Sequence, residues 1–164
     1  MNPSITVRPA ERADLPAAAR LAAELVRLHH ALDPDRFMIK EALEIGYETW
    51  FTRELANREA VIVVAEERRD DGPPAIIGYA YGRLEPRDWN SLLDACGALH
   101  DILVAPSARR KGTGEALVEA VVARLRALGA PRVVLHTAVQ NTAAQRLFER
   151  LGFRQTMIEM TREL

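Results

Sequence analysis

Six consecutive apolar residues, Ala60-Val61-Ile62-Val63-Val64-Ala65, constrain this chain more than any other stretch. A strand with one wet face alternates polar and apolar side chains, so an unbroken run rich in β-branched residues reads as a strand buried on both faces. The charged stretch Glu66 to Asp71, followed by Gly72-Pro73-Pro74, reads as a turn, and Ala75 to Leu84 as the returning strand. Gly97 to Val104 is another strand, with Pro86 to Asp94 as the loop between them.

Helical periodicity brackets these strands. After Ile5 to Pro9, which alternates like a short strand, Asp14 and Pro16 mark a helix start. Leu21, Leu25 and Leu28 then share one face until Asp33-Pro34 stops the helix. A second helical pattern runs from Ile39 to about Asn57 through Leu43, Tyr47, Trp50 and Leu55. Downstream, Glu115 to Leu128 is helical up to Gly129-Ala130-Pro131, and Val133 to Thr137 is a strand. Thr142 to Leu151 is a helix closed by Gly152, and Phe153 to Met160 a final strand. The predicted order is β-α-α-β-β-β-α-β-α-β, an α/β class with one mixed-sheet domain over residues 1–164.

Composition narrows the function classes. With 48% hydrophobic and 27% charged residues, the 164-residue chain is expected to fold as a globule. Lys+Arg 22 against Asp+Glu 23 leaves a net charge of -1, so no global basic field draws it to nucleic acid or to an anionic membrane, and any anion site must be local. Cys96 has no second cysteine to bond and no zinc-like Cys/His spacing around it. The N-terminus has no basic, then apolar, leader pattern, and nowhere do about 18 apolar residues run together, so the expected location is the cytoplasm.

A local anion site stands between the strand ending at Val104 and the next helix. Arg109-Arg110-Lys111-Gly112-Thr113-Gly114 packs three cations and two glycines into a strand-to-helix turn. Helix N-termini carry unpaired N–H groups and a partial positive charge, and glycine lets a ligand approach the backbone. The string is neither a P-loop, which needs GxxxxGK[ST], nor a dinucleotide fingerprint, since Leu117 stands where the third glycine of GxGxxG would be. Val133 to Thr137 also lacks the acidic end that would hold a ribose hydroxyl.

One strand downstream comes Asn141-Thr142-Ala143-Ala144-Gln145-Arg146-Leu147-Phe148-Glu149-Arg150-Leu151-Gly152-Phe153. This string and Arg109-x-x-Gly112-x-Gly114 together resemble the GNAT family of N-acetyltransferases, strongly over residues 97–160 and by element order upstream. The resemblance implies acetyl-CoA as cosubstrate and direct attack by a primary amine, with no metal and no covalent intermediate. It implies that the backbone N–H groups of Arg110, Lys111, Gly112, Thr113, Gly114 and Glu115, beside Arg109, grip the CoA pyrophosphate. Ile102, Leu103 and Val104 would offer main-chain groups to the pantetheine arm and polarise the thioester carbonyl. Asn141, Ala144 and Phe148 would contact the CoA arm, and Asn141 also reads as a helix N-cap.

His100 is the candidate base. Strand alternation puts it on the face of Ile102 and Val104 with Asp101 opposite, and an imidazole of pKa about 6.5 suits proton removal near neutrality. The bland alternative is a structural histidine. Phe148 departs from the tyrosine that many members carry to protonate the departing thiolate. The thiolate then leaves unaided, Tyr79 or Tyr81 supplies the proton, or the domain binds acyl-CoA as a regulator without turnover.

On the acceptor side the resemblance points to His30, Asp33, Asp35, Tyr47 and Tyr81. Adjacent His29 and His30 point about 100° apart on a helix and do not easily chelate one ion, so no metal is expected. The expected acceptor is a small-molecule amine, with a peptide or protein amine as the alternative, and pairing into a homodimer would use sheet edges or helices. Cys96 reads as a packing residue and only a weak candidate acyl carrier.

Overall fold

A computed structural model describes residues 4–68 and 72–164. Among them the chain runs β1 (Ile5–Pro9), α1 (Leu15–Leu32), α2 (Leu43–Glu54), β2 (Ala60–Glu67), β3 (Ala75–Glu85), β4 (Cys96–Val104), α3 (Thr113–Ala127), β5 (Val133–Leu135) and α4 (Thr142–Arg150). Short 3-10 turns at Arg12–Asp14 and Pro106–Ala108 lead into α1 and toward α3. The strands form one sheet in the order β1-β2-β3-β4-β5, antiparallel from β1 to β4 and parallel between β4 and β5.

The apolar run in β2 has a dry layer on each side. Ile62 and Val64 enter a core with Leu15, Leu21 and Leu25 of α1 and Phe51 of α2. Val61, Val63 and Ala65 enter the opposite core with Leu117, Val118, Val121 and Leu125 of α3 and Phe148 of α4. Each Val or Ile side chain of the run taken from water stabilises the fold by about 1.5–3 kcal/mol, which favours an apolar residue on both faces. Gly82 in β3 lets α3 lie close: a Cβ there would come within 2.7 Å of a Val121 methyl and 2.9 Å of the Ala98 carbonyl oxygen.

Asp14 sits at the N-cap of α1 but does not cap it with its side chain. Its carboxylate instead receives Arg8 Nη1 at 2.7 Å, Arg8 Nη2 at 3.0 Å and the Glu11 N–H at 2.7 Å. Arg8 also donates to Glu66 at 2.6 Å, so one guanidinium ties β1, β2 and the start of α1 together. The Arg8 bond holds the Asp14 carboxyl below its ordinary value.

Several boundaries differ from the sequence reading. β2 continues through Glu66 and Glu67, because β1 extends the ladder that far and Arg8 meets the first of these charges; residues 69–71 of the expected turn lie outside the described residues. α2 starts at Leu43 rather than Ile39, since Ala42 takes a left-handed conformation with φ 52° that interrupts the helix. The expected strand from Phe153 to Met160 does not form, and residues 154–164 are exposed with no strand assignment. A strand needs a partner, and β5 ends at Leu135, two residues earlier than expected.

Candidate active site

β4 forks away from β5. The two strands pair only from Gly97 to Leu99, against Val133 to Leu135, whereas β4 runs on to Val104. The Ala105 N–H donates back to the Ile77 carbonyl at 2.8 Å, and the Val104 carbonyl, facing the other way, accepts from Arg109 Nε at 3.0 Å. By alternation Ile102 and Val104 aim their peptide groups into the fork, and Leu103, opposite Tyr79, aims its own toward β3. Of the three residues expected to offer main-chain groups to a pantetheine arm, Ile102 and Val104 face the fork and Leu103 faces β3.

The fork opens onto the N-terminus of α3. Arg110 and Gly112 are both left-handed, with φ 61° and 81°, and this turns the chain sharply enough for Thr113 to begin the helix. Thr113 is buried and its hydroxyl donates to the Ala108 carbonyl at 3.2 Å, which fixes the turn from inside. No side chain caps the helix, and its first intrahelical bond runs from the Ala116 N–H to the Gly112 carbonyl. The N–H groups before Ala116 therefore point out of the helix end, beside Arg109 and with Lys111 held 3.8 Å from Glu67. Gly114 faces Leu147 of α4, where an added Cβ would stand 3.3 Å away.

The candidate base lies on the other face from the one alternation predicts. A β-bulge between Tyr81 and Gly82 sets Asp101 opposite Tyr81 and Leu99 opposite Gly82, leaving His100 as the extra residue. Leu99 and Ile102 pack on the α3 side, while Asp101 accepts a hydrogen bond from the Tyr79 hydroxyl at 3.2 Å on the α1–α2 side. His100 stacks on the Tyr81 ring at 5.5 Å, so it shares the face of Asp101 and not that of Ile102 and Val104. Glu85 accepts from His100 Nε2 at 2.8 Å, which leaves Nδ1 as the imidazole's lone-pair nitrogen.

Around these residues the α1–α2 face carries carboxylates between aromatic rings. Tyr81 donates to Glu54 at 2.6 Å, Trp50 meets the Tyr81 ring at 4.8 Å, and Tyr47 meets Trp50 at 5.8 Å. Burial pushes the Asp101 carboxyl up, with Tyr79, His100 and His29 drawing it back. Burial, with help from the Asp101 charge, pushes the Tyr47 phenol up to about 12. Tyr79 and Tyr81 are also raised by burial, so both stay protonated across the neutral range.

The remaining candidates have the following local surroundings. His30 Nδ1 donates to the Phe37 carbonyl at 2.7 Å, and Asp33 accepts from the Arg36 N–H at 3.1 Å, so both shape the connection between α1 and α2. Asp35 is exposed in that connection. Asn141 caps α4 by accepting from the Ala144 N–H at 3.2 Å. Phe148 is buried against Phe153 at 5.9 Å. Cys96 is buried at the far end of β4, and burial raises its thiol, which disfavours the thiolate that acyl transfer would need.

Comparison with known proteins agrees with this architecture. The sequence model of the acetyltransferase (GNAT) family matches residues 24–153. The chain belongs to the GNAT family. An uncharacterized N-acetyltransferase of Bacillus subtilis is 31% identical over 110 residues, covering 67% of this chain and 69% of that protein. A mycothiol acetyltransferase of Pseudarthrobacter chlorophenolicus is 35% identical over 83 residues, 51% of this chain, and the match spans only 25% of that relative's length. The aminoglycoside N-acetyltransferase AAC(6')-Iy in complex with CoA superposes with a TM-score of 0.71 at 19% identity, covering 100% of this chain and 97% of that one, a likeness of fold.

Within this GNAT domain, sequence reasoning did not single out Asp101, Glu54 and Glu85 as carboxylates of the α1–α2 face. The bulge shifts the side-chain parity of β4 and moves His100 to that face, whereas Asp101 falls there by alternation counted from Val104, and Glu54 and Glu85 reach it from α2 and β3. The available signal was Gly82 across the ladder, since an isolated glycine inside a strand pattern often marks a bulge.

Proposed function

We propose that this GNAT protein transfers the acetyl group of acetyl-CoA to the primary amine of a small cationic acceptor. The observation that carries the reading is the fork: an unpaired edge at Ile102 and Val104 leads straight into the uncapped N-terminus of α3. An extended amide-containing arm lies along such an edge as an added strand, and a pyrophosphate sits on such a helix end, so one linear ligand satisfies both. The N–H groups from Arg110 to Glu115 hold the pyrophosphate, with Arg109 and Lys111 adding charge. A main-chain N–H of Ile102 or Val104 polarises the thioester carbonyl. Asn141 and Ala144, at the start of α4, and the Phe148 side chain behind them support the arm's far side.

The acceptor enters from the α1–α2 face. Asp101, Glu54 and Glu85 draw an ammonium group there, and the rings of Tyr47, Trp50 and Tyr81 present π-faces to it. Glu85 fixes the His100 tautomer, and His100 Nδ1 takes the ammonium proton. The neutral nitrogen attacks the carbonyl carbon, the nitrogen of the tetrahedral adduct gives its second proton to solvent, the C–S bond breaks, and the thiolate leaves unaided, consistent with Phe148 having no proton to give. The names of the relatives make amino sugars the first acceptors to test.

The test is acetyl-CoA-dependent thiol release across amino sugars, polyamines, arylalkylamines and short peptides, alongside calorimetric titration with acetyl-CoA. Turnover with one amine class, lost in His100→Gln, supports the reading. Tight acetyl-CoA binding with no turnover on any acceptor moves it to the acyl-CoA-binding regulator, and absence of acetyl-CoA binding refutes both.

A further inference from the structure

The C-terminal ends of α2 and α3 both border a cavity of about 410 Å³ at the start of β2, a volume in the range of small-molecule sites. It lies at the far end of α3 from the pyrophosphate turn. Arg124 on its wall stands about 16 Å along the helix axis from Thr113, at about 1.5 Å per residue.

The lining carries charges of both signs without partners. Glu54 is 9% exposed, and among the described residues neither it nor Arg58 nor Arg124 makes an ion pair. Glu54 Oε2 accepts from the Tyr81 hydroxyl at 2.6 Å, whereas Oε1 accepts from the Asn57 side-chain amide at a long 3.4 Å. A carboxylate withdrawn this far from water is costly without a cation beside it. An ammonium on Oε1 supplies that cation, and it also sits at the negative ends of two helix dipoles. Arg58 and Arg124 are exposed on the rim, and their guanidinium forks suit a carboxylate. Leu55 and Leu128, 38% and 42% exposed, join Ile62 to give the same cavity an apolar wall.

We infer that this cavity binds an α-amino acid with an apolar side chain, its ammonium on Glu54, its carboxylate between Arg58 and Arg124, and its side chain on Leu55, Ile62 and Leu128. A simple amine leaves the two guanidiniums unmatched, and a simple carboxylate leaves Glu54 so; a zwitterion matches all three. The inference does not rest on the proposed acetyl transfer. Glu54 serves the two sides through separate oxygens, Oε2 toward Tyr81 and Oε1 toward Asn57 on the cavity lining.

The experiment is calorimetric titration of the full chain with leucine and methionine, and with isoamylamine and isocaproate, which are leucine without its carboxylate and leucine without its ammonium. Methyl NMR of Leu55, Ile62 and Leu128 locates the ligand. The expected result is binding of leucine or methionine with shifts at those three residues, and binding of both truncated analogues weaker by about tenfold or more. Arg58→Gln combined with Arg124→Gln, two exposed positions, should weaken the amino acid by about tenfold or more and leave isoamylamine unchanged, with an unaltered melting temperature as evidence of folding. Glu54→Gln should weaken the amino acid and isoamylamine and leave isocaproate unchanged. No binding of either amino acid at millimolar concentration overturns the inference. So does binding that ignores the arginine substitutions, an analogue that binds as tightly as leucine, or shifts at Tyr47 and His100 with the three methyl-bearing residues unmoved.

Discussion

Replacing Tyr79 by phenylalanine isolates the half-buried carboxylate of Asp101 on the α1–α2 face. Tyr79 is fully buried, and its hydroxyl stands 3.2 Å from Asp101 Oδ2. Where Asp101 is ionised, the change removes a hydrogen bond to a charged acceptor, about 1.5–3 kcal/mol, and the long distance places it near about 1.5 kcal/mol. Where Asp101 is protonated, a neutral bond worth about 0.5–1.5 kcal/mol is lost instead. Asp101 titrates above its unfolded value, so its contribution to stability is fully present in acid and declines as pH rises through the folded value. Because the Tyr79 bond draws that value down, Tyr79→Phe raises it further and deepens the decline. Urea unfolding should therefore show a larger destabilisation at pH 8 than at pH 4, with a melting temperature lowered by about 3–6 °C at pH 8 for a chain of this size. An equal loss at both pH values, or a greater one in acid, would refute the pairing of an ionised Asp101 with Tyr79.

Four further outcomes follow from the same geometry. His100→Gln should lower kcat by about 10²–10⁴-fold with little change in unfolding midpoint and flatten the acid limb of the pH–rate profile; an unchanged limb removes the base assignment. Gly82→Ala should destabilise by about 1–3 kcal/mol in urea unfolding, because its Cβ meets the Ala98 carbonyl at 2.9 Å and a backbone oxygen cannot rotate away. Gly112→Val should cost about 1–2 kcal/mol for its left-handed φ of 81° and weaken acetyl-CoA binding in calorimetry more than it alters the acceptor KM. Asn141→Ala should cost about 1 kcal/mol through the lost cap on the Ala144 N–H, and a melting curve unchanged from the parent would show that the cap is not formed.

Different parts of the molecule were legible for different physical reasons. The two-faced burial of β2 followed from side-chain chemistry alone, since a run of β-branched residues has one stable environment and α1, α2 and α3 provide it. The turn from Arg109 to Gly114 was legible because its glycines and cations state both a backbone conformation and a charge. The tail shows the opposite case: Phe153 to Met160 was expected as a strand, but a strand is a property of two segments, and nothing in those residues says which edge they meet.

His100 and Asp101 mark the sharper limit. Counting by twos assigns faces correctly only while the register holds, and one inserted residue reverses every assignment on one side of it. Counted back from Val104, His100 falls on the α3 side. Counted up from Leu99, which does lie on the α3 side, His100 falls on the α1–α2 side, where the Tyr81 ring meets it. The two counts disagree because the bulge lies between them, and it is this disagreement that brings an imidazole and a carboxylate, neighbours in sequence, onto one face. A regular strand would have divided the pair across the sheet, with His100 on the α3 side and Asp101 on the α1–α2 side.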